Sequence, residues 1–127
     1  MGPRPKILAV DDDQAILRLL AVSLGKEYDL SFATDAVTAI SVARRESPDL
    51  ILLDYRLPGG DGALVIDRLR TFGDLAYVPI VLMSGWESPW SWDQLLELEL
   101  AFIPKPFALD ELKGEIDRTL APTVVSR

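Results

Sequence analysis

The sequence predicts an α/β fold: a doubly wound parallel sheet of five strands in the order 2-1-3-4-5, with helices on both faces. Three observations lead there. Short apolar runs alternate with helix-period segments along the chain. Those runs are continuously apolar rather than alternating, which marks strands covered on both sides. The length, 127 residues, suits one compact domain and is too short for a second. Right-handed crossovers then make the doubly wound order the natural arrangement of five strand–helix units. In such sheets the functional crevice lies beyond the carboxyl ends of the strands.

Ile7-Leu8-Ala9-Val10 reads as the first strand and stops at Asp11-Asp12-Asp13. From Gln14 to Leu24, Ile16, Leu17, Leu20 and Leu24 share one helical stripe, and Gly25 is expected to end the helix in the usual manner of a C-terminal glycine. Leu30-Ser31-Phe32-Ala33 is the second strand. Asp35 is a predicted N-cap for a helix reaching about Glu46, with Ala36, Ile40 and Ala43 on one face; Ser47-Pro48-Asp49 breaks it. Leu50-Ile51-Leu52-Leu53 is the most strand-like segment and ends at Asp54. Pro58-Gly59-Gly60-Asp61-Gly62 is a turn-rich loop before a helix over roughly Ala63 to Arg70. Val78 to Met83 forms the fourth strand, closing at Ser84-Gly85. A helix from about Trp92 to Glu99, a brief strand from Ala101 to Ile103 and a helix from Asp110 to Leu120 complete the series. The domain core spans about residues 6 to 120, and residues 121 to 127 read as a flexible tail.

Composition narrows the chemistry. There is no cysteine, which removes disulfides, thiol nucleophiles and thiolate metal sites. There is no histidine, which removes imidazole bases, zinc sites built on His and phosphohistidine within this chain. The net charge is -7, and the basic residues are scattered, so direct nucleic-acid binding is not expected. No apolar run is long enough for a membrane span, and the first residues lack a signal-peptide core; a cytoplasmic location follows as the default.

Reactive groups gather at the predicted strand ends. Asp11, Asp12 and Asp13 follow the first strand, Asp54 the third, Ser84 the fourth and Lys105 the fifth. Strands one and three are neighbours in the expected order, so their terminal carboxylates approach one another and repel unless a cation intervenes. An all-oxygen pocket without His or Cys points to Mg²⁺ or Mn²⁺ rather than zinc. With an ammonium and a hydroxyl at hand, the pocket suits phosphoryl chemistry, a carboxylate oxygen attacking in line. Any one of these aspartates alone reads more simply as a solvated turn or helix cap; the four strand ends together do not.

Val10-Asp11-Asp12-Asp13, Leu53-Asp54-Tyr55-Arg56-Leu57-Pro58, Asp61-Gly62, Met83-Ser84-Gly85 and Lys105-Pro106-Phe107 resemble, in order and spacing, the response-regulator receiver domain of two-component signalling. The match runs from about Lys6 to Leu120, and the ordered set is far more specific than any piece. The resemblance implies a flavodoxin-like three-layer sandwich and a phosphoacceptor, Asp54, loaded from a sensor histidine kinase or histidine phosphotransfer protein. It further implies Asp12 as a direct Mg²⁺ ligand, Asp11 as its water-mediated companion, and Asp54 and the backbone carbonyl of Arg56 at the same metal. Ser84 matches the switch hydroxyl, Lys105 the pocket cation, Phe102 the switch aromatic, and Pro106 a peptide usually cis in the family. A downstream protein or fused output domain would read the switch, and the chain is expected to act as a phosphoprotein rather than a conventional enzyme. Both a stand-alone regulator and part of a larger regulator or hybrid kinase fit, and a homodimer through the fourth and fifth helices is compatible with the pattern.

The chain departs from the family before the fifth strand, where Leu98-Glu99-Leu100-Ala101 lacks the usual glycine. Pro89, Trp86, Trp90 and Trp92 precede it, so the fourth helix is expected to be short, shifted or partly irregular. The indole rings are expected to cover the core there, with a docking surface as the alternative. Arg56 and Trp86 lie two residues past Asp54 and Ser84, where bulk would hinder a hydrolytic water. The main rival is a haloacid-dehalogenase-like phosphatase with Asp11 as nucleophile and Asp13 as acid/base, which leaves Asp54 and Lys105-Pro106 unexplained. A flavin-binding module would set three aspartates against phosphate. A degenerate receiver that binds partners without phosphorylation would not need the full acidic set.

Overall fold

The structure is a computed structural model that describes residues 3–85 and 90–121, the side chain of Trp92 excepted. In chain order the elements are β1 (Lys6–Val10), α1 (Gln14–Leu24), β2 (Asp29–Ala33), α2 (Ala36–Glu46), β3 (Leu50–Asp54), α3 (Gly62–Leu69), β4 (Ile80–Ser84), α4 (Trp92–Glu97), β5 (Leu100–Pro104) and α5 (Leu109–Leu120). The strands pair in parallel in the order β2-β1-β3-β4-β5, as the alternation of elements predicts.

Side-chain alternation along each strand splits the core into two layers. On β3, Ile51 and Leu53 face one layer with α2, α3 and α4, while Leu50 and Leu52 face the other with α1 and α5. All five residues of β3 and of β4 are buried, which explains why both read as unbroken apolar runs. Each fully buried leucine or isoleucine contributes about 2 kcal/mol of transfer free energy. The register sets Val10 beside Leu53, Asp54 beside Met83 and Ser84 beside Pro104, so the reactive residues share one edge.

Side-chain oxygens start the helices. Asp13 accepts from the Ala15 amide at 2.9 Å, Asp35 from Thr38 at 2.7 Å and Asp61 from Leu64 at 3.0 Å. Ser91 and Gln94 form a reciprocal capping box at the head of α4. The turn after Pro58 needs its glycines, since Gly59 and Gly60 adopt φ of 80° and 144°.

Three details correct the sequence reading. Gly25 does cap α1, but in the right-handed region (φ -64°), so it is not the left-handed cap expected of a C-terminal glycine. Ser47, where α2 is expected to break, does take the left-handed position, with φ 48°. β4 begins at Ile80 rather than Val78, because Pro79 has no N–H to give its neighbour, although its carbonyl accepts from Ile51. α4 stops at Glu97 rather than Glu99, because Glu99 turns into the left-handed region (φ 56°) to enter β5. The fourth helix is thus short, and Trp90 packs half-buried against the core, as its aromatic bulk predicts. Trp86 lies outside the described residues, as does the side chain of Trp92. No helix among the described residues is long and apolar enough to cross a membrane.

Candidate functional site

At the carboxyl edge of the sheet, Asp11 follows β1 and is fully buried, although a carboxylate there forfeits its hydration. The loss is offset by two bonds. Its Oδ1 accepts from the Asp13 amide at 2.9 Å and its Oδ2 from Lys105 Nζ at 2.6 Å. Asp54 ends β3, also buried, with Oδ2 3.4 Å from the same ammonium. Asp12 is exposed beside them. Carboxylate oxygens of Asp11, Asp12 and Asp54 all lie within 4.8 Å of one another.

This crowding governs protonation. Burial, followed by the charge of Asp11, pushes Asp54 up to about 6; Lys105 and the Arg56 backbone N–H, which donates to Asp54, work against the rise. For Lys105 burial disfavours the charge, but the bond to Asp11 and the charges of Asp11 and Asp54 outweigh it and hold the ammonium above its ordinary range. Three carboxylates against one ammonium leave negative charge in excess. Such a hard-oxygen donor set fits a divalent cation like Mg²⁺. The same trio fits the resident-metal expectation, with Asp11 already engaged at both oxygens and Asp12 facing solvent.

Ser84 closes β4 and is buried. Its carbonyl accepts from the Lys105 N–H at 2.6 Å, so the loops after β4 and β5 are joined at this point. Ser84 and Phe102 both project to the α4 side of the sheet, by alternation from Leu82 and Leu100. Phe102 is half-buried there, and the Lys105–Pro106 peptide is cis. A groove of about 470 Å³, lined by Ile16, Leu19, Gly85, Lys105, Pro106 and Phe107, opens beside the ammonium.

Of the strand-end residues singled out in the sequence, Asp11, Asp12, Asp54 and Lys105 therefore meet, and Ser84 joins them through its backbone bond to Lys105; Asp13 is the exception. Asp13 is spent as the cap of α1 and stands outside the carboxylate trio, which counts against a phosphatase reading that needs it as acid/base. Sequence reasoning assigned no role to Tyr55. It follows Asp54 directly, its ring meets Trp90 edge-on with centroids 5.6 Å apart, and its hydroxyl lies 3.5 Å from Asp61. An aromatic next to the acceptor was legible; its partner 35 positions away was not.

Fold and site together define a receiver-type signalling module: a doubly wound sheet with an acidic trio, a hydroxyl and an ammonium at its carboxyl edge. A family model, "Response regulator receiver domain", matches residues 7–117, and the chain belongs to that family, the receiver domains of two-component response regulators. It is 36% identical over 122 residues to the response regulator MprA of Mycobacterium leprae, covering 93% of this chain and 52% of the relative. It is 39% identical over 103 residues to the response regulator PleD of Caulobacter vibrioides, covering 80% and 23% respectively. The chain thus spans about half of one relative and under a quarter of the other. Among solved structures, the non-phosphorylated HemR receiver domain of Leptospira biflexa superposes with a TM-score of 0.84 at 27% identity, covering 98% of this chain and all of that one.

Proposed function

We propose that this receiver domain takes a phosphoryl group onto Asp54 from the phosphohistidine of a sensor kinase or phosphotransfer protein, and that the acyl phosphate resets the α4 side of the molecule. The observation that carries the reading is the buried acidic trio bridged by a single ammonium. An Asp54 oxygen attacks phosphorus in line; the P–O bond forms as the P–N bond breaks, and the imidazole nitrogen leaves with the electron pair and takes up a proton. Lys105 Nζ neutralises a phosphoryl oxygen at the position where it now meets Asp54. Ser84 provides a hydroxyl for another oxygen, and its backbone bond to Lys105 makes the two respond together. Phe102, on the same side of the sheet, repacks as Ser84 moves.

Asp11, Asp12, Asp54 and the Arg56 carbonyl would hold Mg²⁺, with Mn²⁺ as a substitute, Asp11 acting through water. A bound cation supplies charge compensation and keeps Asp54 ionised near neutrality. Residues 6–120 would form the complete switching unit, working in the cytoplasm with a kinase on one side and a downstream protein or output domain on the other. Bulk at Arg56, which is exposed, would slow the water that hydrolyses the acyl phosphate.

Incubation with acetyl phosphate and Mg²⁺, followed by intact-mass analysis, tests the reading. One phosphoryl adduct is expected, absent from Asp54→Ala and from samples in chelator. Adduct formation that survives Asp54→Ala, or steady turnover of a generic phosphate ester, would overturn it.

A further inference from the structure

α4 is the shortest of the five helices. It has six residues, and among its described side chains Leu95 is the one that is buried. A helix this short does not persist on its own hydrogen bonds, so its position depends on what holds its ends. Its C-terminal end runs into the left-handed Glu99. Its N-terminal end is preceded by Trp90, and Trp90 meets Tyr55.

Tyr55 is in turn tightly held. Its N–H donates to the Met83 carbonyl of β4 at 2.9 Å, and its carbonyl accepts from Gly62 at the start of α3. A Cβ at Gly62 would meet the Tyr55 Cα at 3.0 Å and its ring at 3.4 Å, so a side chain there would crowd Tyr55. The Tyr55 backbone is therefore tied to the chain that carries Asp54. The Tyr55 ring stands at 85° to the Trp90 ring, the edge-on geometry aromatic pairs prefer, and both rings rest on the same core layer.

Building on the phosphoacceptor reading, we infer that the Tyr55–Trp90 ring pair couples the loop after Asp54 to the N-terminus of α4, as a second route distinct from Ser84 and Phe102. A shift of the β3–α3 loop on phosphorylation displaces the Tyr55 edge. Trp90 follows because it has a packed partner, and the capping box at Ser91 passes the displacement into the helix. The Tyr55 hydroxyl bond to Asp61 steadies the ring but does not form the coupling.

Hydrogen exchange at the α4 amides, residues 92–97, with and without beryllofluoride and Mg²⁺ as a stable stand-in for the phosphoryl group, tests this. Occupancy at Asp54 is followed separately by fluorine NMR. In the wild type, occupancy should change α4 exchange several-fold. Tyr55→Leu and Trp90→Leu should each lose most of that response, the double variant should lose no more than either, and Tyr55→Phe, which keeps the ring, should retain it. Trp90→Phe, a milder change, should fall between. A full response in both leucine variants, or a response lost equally in Tyr55→Phe, overturns the ring-pair coupling. Occupied Asp54 with an unresponsive α4 removes this inference alone. A chain that takes no beryllofluoride removes the phosphoacceptor reading and this inference with it.

Discussion

α3 and α4 cover the same face of the sheet and are held very differently. α3 buries Gly62, Val65, Ile66 and Leu69 over eight residues, and its cap, Asp61, is also bonded to Tyr55. α4 has six residues, and among the described side chains Leu95 and the neighbouring Trp90 hold it to the core. Burial at α3 makes it part of the frame that fixes Asp54, whereas α4 can shift at small cost. A switch needs both properties: a well-packed frame beneath the loop that receives the added charge, and an element loose enough for a few kilocalories to move.

The sharpest way to break the comparison is to delete the same atoms from each helix. Leu69→Ala should lower the unfolding free energy by about 3 kcal/mol, since Leu69 is fully buried in the shared core. Leu95→Ala should cost distinctly less, because α4 can let go locally instead of stretching a cavity through the core. Urea denaturation gives both values; equal losses would mean α4 is as firmly built in as α3.

Next in size is the proton held by Asp54, at the border of the two regions. Its unfolded-state value is 3.8 and its folded value about 6, so the native state retains a proton that the unfolded chain has already released. Stability from this group is therefore full below the lower value and declines as pH rises through the window. Asp54→Asn should be more stable than wild type by roughly 1–3 kcal/mol at neutral pH in chelator, with the gap closing near pH 4. Mg²⁺ should narrow it by stabilising the ionised wild type. A gap that does not vary with pH would contradict the electrostatic account of the trio.

Smaller still is the junction of α4 with β5. A non-glycine residue in the left-handed region costs about 1–2 kcal/mol, partly balanced by the freedom glycine adds to the unfolded chain. Glu99→Gly should raise stability by about 0.5–1 kcal/mol, while Glu99→Ala should bring no gain. Thermal melts distinguish them. Last, Ser91→Ala should cost less than about 1 kcal/mol globally yet speed exchange along α4, since the cap serves that helix alone.

Much of this was legible in the chain. β1 and β3 announce themselves because strands buried on both faces have no polar residue to interrupt them, and both stop at aspartates. The strand order followed from the handedness of crossovers, and with it the meeting of Asp11, Asp12, Asp54, Ser84 and Lys105. Boundaries were harder where backbone rather than side chain decides. Pro79 shortens β4 by lacking a donor, and Glu99 shortens α4 by adopting a dihedral that glycine usually supplies. α5 starts at Leu109 behind Ala108, which has no side-chain oxygen, so nothing in the sequence flags the cap; Glu111 instead accepts from the Ala108 N–H. The Tyr55–Trp90 contact was beyond reach, because no local period links residues brought together by packing alone.

The bond from the Asp13 amide to Asp11 Oδ1 has a consequence for the opposite side of the sheet. Asp13 belongs at once to the acidic loop and to the first turn of α1, whose Ala15 amide it receives. Neutralising the trio changes how strongly Asp11 attracts the Asp13 amide, and so how firmly α1 is started. Ion loading at the pocket should register as altered fraying of α1, a signal on the helix farthest in sequence from Lys105.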